Sequence, residues 1–293
     1  MTAPSTFEKV PSALRALIPA RFRGDIPIVP VVRLSGAIGI SSPLKPGLTL
    51  ANVARLLERA FATRNARAVA LSINSPGGAA AQSHLIHRRI RVLADEKKIP
   101  VFAFVEDVAA SGGYMIACAA NEIIADASSI VGSIGVVGGS FGFDKLIEKI
   151  GVERRLYTSG ENKAMLDPFL PEKPEDVERL KALQREIHES FIALVKERRG
   201  GKLDSRETAL FTGAYWTGQK GRELGLVDAV GDLRTILRER YGDKVQTPVI
   251  AERGFALLGR KASGVEQLLN GPNFADDMVA TLEARALWSR FGL

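Results

Sequence analysis

The feature that most constrains the fold is a set of short, almost wholly apolar runs alternating with longer amphipathic ones. Ala68 to Ile73 is apolar except for Ser72, and Pro100 to Val105 is apolar throughout. Such unbroken runs suit strands covered on both faces; a half-exposed strand would alternate. Ile28 to Leu34, Glu122 to Ala125, Ile130 to Val137 and Arg154 to Thr158 read as further strands, with Pro30 putting the first at an edge or a bulge. Between them, apolar residues recur at helical spacing. Ala51 to Arg64 carries Val53, Leu56, Leu57 and Phe61, and Ala79 to Glu96 carries Leu85, Ile86, Ile90 and Leu93. Pro174 to Arg199 carries Val177, Leu180, Leu183, Ile187, Phe191 and Leu194. Ser111 to Ala120 and Phe143 to Ile150 read as short helices, and Thr217 to Leu224 and Leu233 to Tyr241 close the pattern. Strands alternating with helices imply an α/β fold with a mainly parallel sheet.

Composition narrows the function. Hydrophobic residues make up 46% of the 293 and charged residues 25%, which excludes a disordered chain. The lone Cys118 excludes an internal disulfide framework and reads as buried filler. Three histidines, His84, His87 and His188, leave little material for a metal site or a histidine-based triad. No zinc spacing, Walker loop or dinucleotide fingerprint occurs, so neither metal nor cofactor is expected. The net charge of +7 favours anionic partners only weakly, and Arg198, Arg199 and Lys202 read as cations offsetting a helix dipole rather than a nucleic-acid site. No run approaches the roughly 20 apolar residues of a spanning helix, and the first residues lack the pattern of a signal peptide. The expected location is cytoplasmic or peripheral at a membrane surface. Phe7 to Arg23 carries apolar residues at helical spacing beside Arg15, Arg21 and Arg23; it reads either as a helix lying on a membrane or as one packed on protein. Residues 1–26 are accordingly separated from a main domain over 27–245, and 246–293 forms an appendage without assigned role, ending in a helix from Val279 to Phe291.

Two strand-to-helix junctions carry the chemistry. The first is Asn74-Ser75-Pro76-Gly77-Gly78-Ala79, where glycines let the backbone turn sharply and free amides open toward an anion. The second is Ala109-Ala110-Ser111-Gly112-Gly113-Tyr114, which puts a serine at the start of a helix of small residues. Taken singly, the first could be an ordinary tight turn and Ser111 an ordinary helix cap.

Together, their order and spacing resemble the Clp-protease and crotonase superfamily. Ala110-Ser111-Gly112-Gly113-Tyr114, followed by Val131-Gly132-Ser133-Ile134-Gly135-Val136, resembles the signal peptide peptidase A family, and the likeness runs from about Val29 to Tyr241. The resemblance implies a Clp-protease/crotonase-like fold of repeated ββα units and a serine peptidase. A serine nucleophile needs a base, and a lysine can serve where its amine is kept neutral. The family's catalytic lysine follows a strand and a glycine, a context matched by Lys163 in Ser159-Gly160-Glu161-Asn162-Lys163, at 163 − 111 = 52 positions from the serine. Ser133 matches the family residue that orients this lysine, and Gly78 and Gly112 match the positions whose amides hold the oxyanion. The substrates implied are signal-peptide-like, hydrophobic or unfolded peptides, with small or apolar side chains at the cleaved bond.

Many members of the family carry an N-terminal membrane anchor, and some carry two copies of the domain. One Ser/Lys set without a spanning helix resembles the single-domain form lacking its anchor, which implies a homo-oligomer such as a tetramer or octamer. Two other readings use the same features: a crotonase-type acyl-CoA hydratase or isomerase, which needs carboxylates at the site, and a non-catalytic oligomeric scaffold.

Overall fold

A computed structural model of the protein describes residues 26–39, 47–251, 282 and 285–292. The segment Phe7–Arg23 lies outside them. The main path of the sheet runs β1 (Val31–Ser35), β2 (Val69–Ser75), β3 (Val101–Ala110), β4 (Glu122–Ala125) and β7 (Ala229–Val230), all parallel. Two short strands leave this path: β5 (Ile130–Gly132) runs parallel to β3, and β6 (Tyr215–Thr217) runs antiparallel to β5. The α/β fold with a mainly parallel sheet is the one expected from the apolar runs.

Strand β3 organises the molecule. Its first half, Phe102 to Val105, pairs with β4, and its second half, Val108 to Ala110, pairs with β5. One continuous strand therefore delivers the chain directly to Ser111, where a strand and a loop were expected. Alternate residues of the central strands serve opposite faces, as the pleat requires. Leu34, Leu71, Ile73, Ala103 and Val105 face one core; Val31, Ala70, Phe102 and Phe104 face the other.

Helices cover both faces. On the first lie α1 (Leu50–Phe61), α2 (Ala80–Lys97), α3 (Gly112–Ala117) and α5 (Pro174–Arg199); α4 (Asp144–Lys149) buries no residue. Helix α6 (Gly218–Glu223) follows β6, and α7 (Leu233–Tyr241) lies on the second face through the buried Leu237. Local chemistry sets their ends. Thr49 caps α1 by accepting from the Asn52 amide, and Asp232 caps α7 by accepting from the amides of Arg234 and Thr235. Helix α5 opens on Pro174 with Glu175 and Asp176 in its first turn, residues suited to a helix start.

Two expectations change. Arg154 to Thr158 forms no strand and runs irregularly and exposed. Ile130 to Val137 is a strand only as far as Gly132, because Ser133 turns at a positive φ of 54°. The basic end of α5 is also bonded to neighbouring elements. Arg199 is buried, donates to the Gly225 carbonyl at 2.7 Å and to Asp228 at 2.6 Å, and Asp228 also accepts from the Ile123 amide. Arg198 donates to the carbonyls of Cys118 and Ala120, capping the end of α3. The chain after Val245 continues along the sheet edge, where Gln246 and Pro248 accept from the amides of Val29 and Val31. Within the expected last helix, residues 285–289 are helical.

Candidate active site

The site is built where the two junctions meet. After β2, the buried Ser75 braces the first turn: its hydroxyl donates to the Gly36 carbonyl at 2.7 Å and accepts from the Gly77 amide at 3.2 Å. Gly77 and Gly78 have φ of 99° and 142°, which side-chain-bearing residues rarely adopt. The Ile38 amide donates to the Gly77 carbonyl, and the Ile38 carbonyl accepts from the Ala79 amide. These bonds straddle Gly78, whose own amide has no acceptor among the described residues.

After β3, Ser111 sits at φ 52° and ψ −122°. This is a costly conformation for a residue with a Cβ, about 1–3 kcal/mol, and it is held because both sides of the residue are pinned. The Ser111 amide donates to the Gly132 carbonyl at 2.8 Å, and α3 follows immediately. The side chain makes no capping hydrogen bond. The ordinary-cap reading of Ser111 therefore fails. Gly112 supplies the first amide of α3, which has no acceptor within the helix.

The junctions touch. A Cβ placed on Gly77 would lie 2.8 Å from the Ser111 Cβ and 3.0 Å from the Gly112 nitrogen. Glycine at position 77 is thus required for the approach itself as well as for its φ. Ser133 lies in the adjoining segment, buried, with its amide donating to the Ala214 carbonyl at 2.7 Å. The same segment continues to Ile134, whose carbonyl meets His188 Nε2 of α5 at 3.1 Å.

Gly78, Ser111 and Gly112 open onto a cavity of about 630 Å³, walled by Met115 of α3, Val136, and Ile187 and Phe191 of α5. Its far side comes from the helical turns over 285–289 and the residues just after, through Ala286, Leu287 and Arg290. Among the described residues neither a histidine nor a carboxylate lines it. Among the described residues no cluster of histidine, cysteine and carboxylate side chains could hold a metal ion. Cys118 is buried, and burial pushes its thiol up to about 12, which fits its reading as filler.

The structure thus brings Ser111, Gly78 and Gly112 to one cavity and puts Ser133 beside them. It leaves Lys163 apart: this residue is exposed, lies in the turns over 161–166, and does not line the cavity. The sequence pattern missed the helical walls. Ile187 and Phe191 carry the periodicity of a core face, and periodicity does not separate a core from the wall of a groove. Residues 286–290 offered no signal beyond a helical one.

The model of Peptidase family S49 matches residues 94–245, more than half of the chain. The chain is 57% identical to a protein of Brucella abortus named as a Na(+)/H(+) antiporter, with 97% of this chain and 39% of that protein matched. It is 33% identical to the chloroplastic serine protease SPPA of Arabidopsis thaliana, with 83% and 36% matched. The chain therefore spans about two fifths of the length of these relatives. Among the described residues no helix is long and apolar enough to cross a membrane, and the antiporter name is not carried over. A solved structure of a membrane-bound stomatin-specific protease with a substrate peptide covers 77% of this chain and 93% of that one, at 18% identity and a TM-score of 0.49. By the match of its family model across the site-bearing half of the sequence, the chain belongs to Peptidase family S49, the signal peptide peptidase A family of serine peptidases.

Proposed function

We propose that the protein is an endopeptidase with a Ser111–Lys163 dyad, acting on apolar or unfolded peptide segments as a homo-oligomer. The carrying observation is Ser111 itself, strained and uncapped at the end of β3, opening onto an apolar cavity beside two amides without acceptors. A neutral Lys163 amine takes the Ser111 hydroxyl proton as the oxygen attacks the scissile carbonyl. The Gly78 and Gly112 amides receive the oxyanion, where fixed donors stabilise the developing charge. The protonated lysine then gives its proton to the leaving amine, and water releases the acyl group. Ser133 orients the lysine. An extended substrate lies against the segment after Ser133, with apolar side chains in the cavity.

The exposure of Lys163 makes assembly part of this reading. The segment that carries it also exposes Val137, Phe141 and Tyr157, at 70%, 79% and 91%, together with Leu146 and Ile150. So much exposed apolar surface is characteristic of an interface. A second copy seated there covers these residues and brings its Lys163 toward a neighbouring Ser111.

The test is labelling by a fluorophosphonate probe together with casein cleavage. Wild type should react and cleave; Ser111→Ala and Lys163→Ala should each lose at least about 10³-fold in rate. An assembled wild type that does neither would overturn the proposal.

A further inference from the structure

Among the described residues the cavity beside Ser111 has one charged wall residue, Arg290. Its other lining side chains are apolar, or small like Ser111. The guanidinium makes no ion pair among the described residues. Arg290 is exposed, and an arginine at an apolar wall without a carboxylate partner among the described residues is suited to one from outside.

The backbone that carries Arg290 is firmly seated. Tyr215 donates through its hydroxyl to the Arg290 carbonyl at 3.3 Å. The next residue, Phe291, is buried, with its ring edge-on to that of Tyr215 at 5.1 Å. Phe291 and Trp288 pack against Val108 and Ala110, the residues of β3 that lead to Ser111. The wall and the nucleophile are therefore braced by the same strand, and Tyr215 also belongs to β6, paired with β5 beside the site. Leu287 and Arg290 enter the groove from this one support, the first apolar and the second cationic.

Resting on the peptidase reading above, we propose that Arg290 is a specificity-determining residue that selects peptides bearing a carboxylate near the cleaved bond. An acidic side chain or the free C-terminus of a short peptide presents the same group. Arg290 binds it while the apolar walls take the neighbouring side chains.

Matched fluorogenic peptides test this on the full-length chain. One set places Glu, Gln or Lys at each of several positions flanking the cleaved bond; a second compares free-acid with amidated C-termini. Wild type should favour one carboxylate-bearing series by about fivefold in kcat/KM, as suits a solvent-accessible charge pair. Arg290→Gln should bring that ratio to about one, and Arg290→Glu should invert it toward the Lys peptides. The responding set identifies the source of the carboxylate. Equal cleavage of all peptides by wild type, or an acidic preference that survives in Arg290→Glu, overturns the proposal. Fluorophosphonate labelling of the same preparations separates the two readings. If wild type labels at Ser111 but does not discriminate, only the role of Arg290 fails; absence of labelling removes the peptidase reading, and this inference with it.

Discussion

Ser111 shows how far a residue departs from its local preference when the rest of the fold holds it. Its φ of 52° and ψ of −122° would suit glycine, and glycines follow at 112 and 113. The strain is sustained by the bond from its amide to Gly132 and by the contact of the Gly77 turn with its Cβ. A serine kept where glycine would be more stable points to a use for its hydroxyl. The strain can be measured. Ser111→Ala keeps the Cβ and hence the cost, whereas Ser111→Gly removes it. Glycine should be the more stable of the two by about 1 kcal/mol, a rise in Tm of roughly 2 °C for a chain of this size. Thermal unfolding of the two variants checks this; a glycine variant less stable than the alanine one would show that the conformation is not strained. The serine was legible from its neighbours, since small residues after an apolar strand leave room for close approach. Its dihedral angles were not, because nothing in Ala110-Ser111-Gly112 says which residue absorbs the turn.

At the scale of elements, helix α2 illustrates what periodicity conveys and what it omits. Of the face expected from the spacing of Leu85, Ile86, Ile90 and Leu93, Leu85 is exposed and the other three are buried, and His87 is buried beside them with Nε2 unpartnered among the described residues. Burial, followed by the charges of Arg198, His84 and Arg91, lowers its imidazole from 6.5 to about 4. The unfolded chain therefore binds a proton between those values that the folded chain does not. Stability from the neutral imidazole is complete above pH 6.5 and is lost as the pH falls toward 4, by about 3 kcal/mol in all. Urea unfolding of wild type across this range should show the loss, and in His87→Leu the total loss over the range should be smaller by that amount. Parallel slopes would mean that the ring gains a partner or water on protonation. The same distinction explains Arg154 to Thr158, whose composition resembles an edge strand. A strand exists only with a partner for its amides and carbonyls, and among the described residues this segment has none. By contrast, β2 and β3 were legible because burial on both faces leaves an unbroken apolar run.

The whole molecule combines a close-packed half around the sheet with an exposed segment from Val137 to Phe169 that makes few contacts of its own. Phe141, Phe143 and Phe169 stack mainly on one another there, and Arg154 lies over the Phe169 ring. The segment carries Lys163, so the chain that opens Ser111 onto the cavity exposes Lys163 away from it. If the dyad closes between copies, two differently disabled chains should rescue each other. Ser111→Ala retains Lys163, and Lys163→Ala retains Ser111. Mixed and reassembled in equal amounts, they form some interfaces at which an intact serine meets an intact lysine. With random assembly and each site drawing one residue from each of two copies, about a quarter of the wild-type activity should return. A dyad closed within each chain gives no recovery at any mixing ratio, because every site then lacks one partner. Leu146→Asp, placed on the exposed apolar segment, should reduce both assembly and recovery while leaving the thermal unfolding of the sheet core near that of wild type. Size-exclusion chromatography and casein cleavage on the same mixtures distinguish these outcomes, and recovery in the absence of assembly would refute an inter-subunit site.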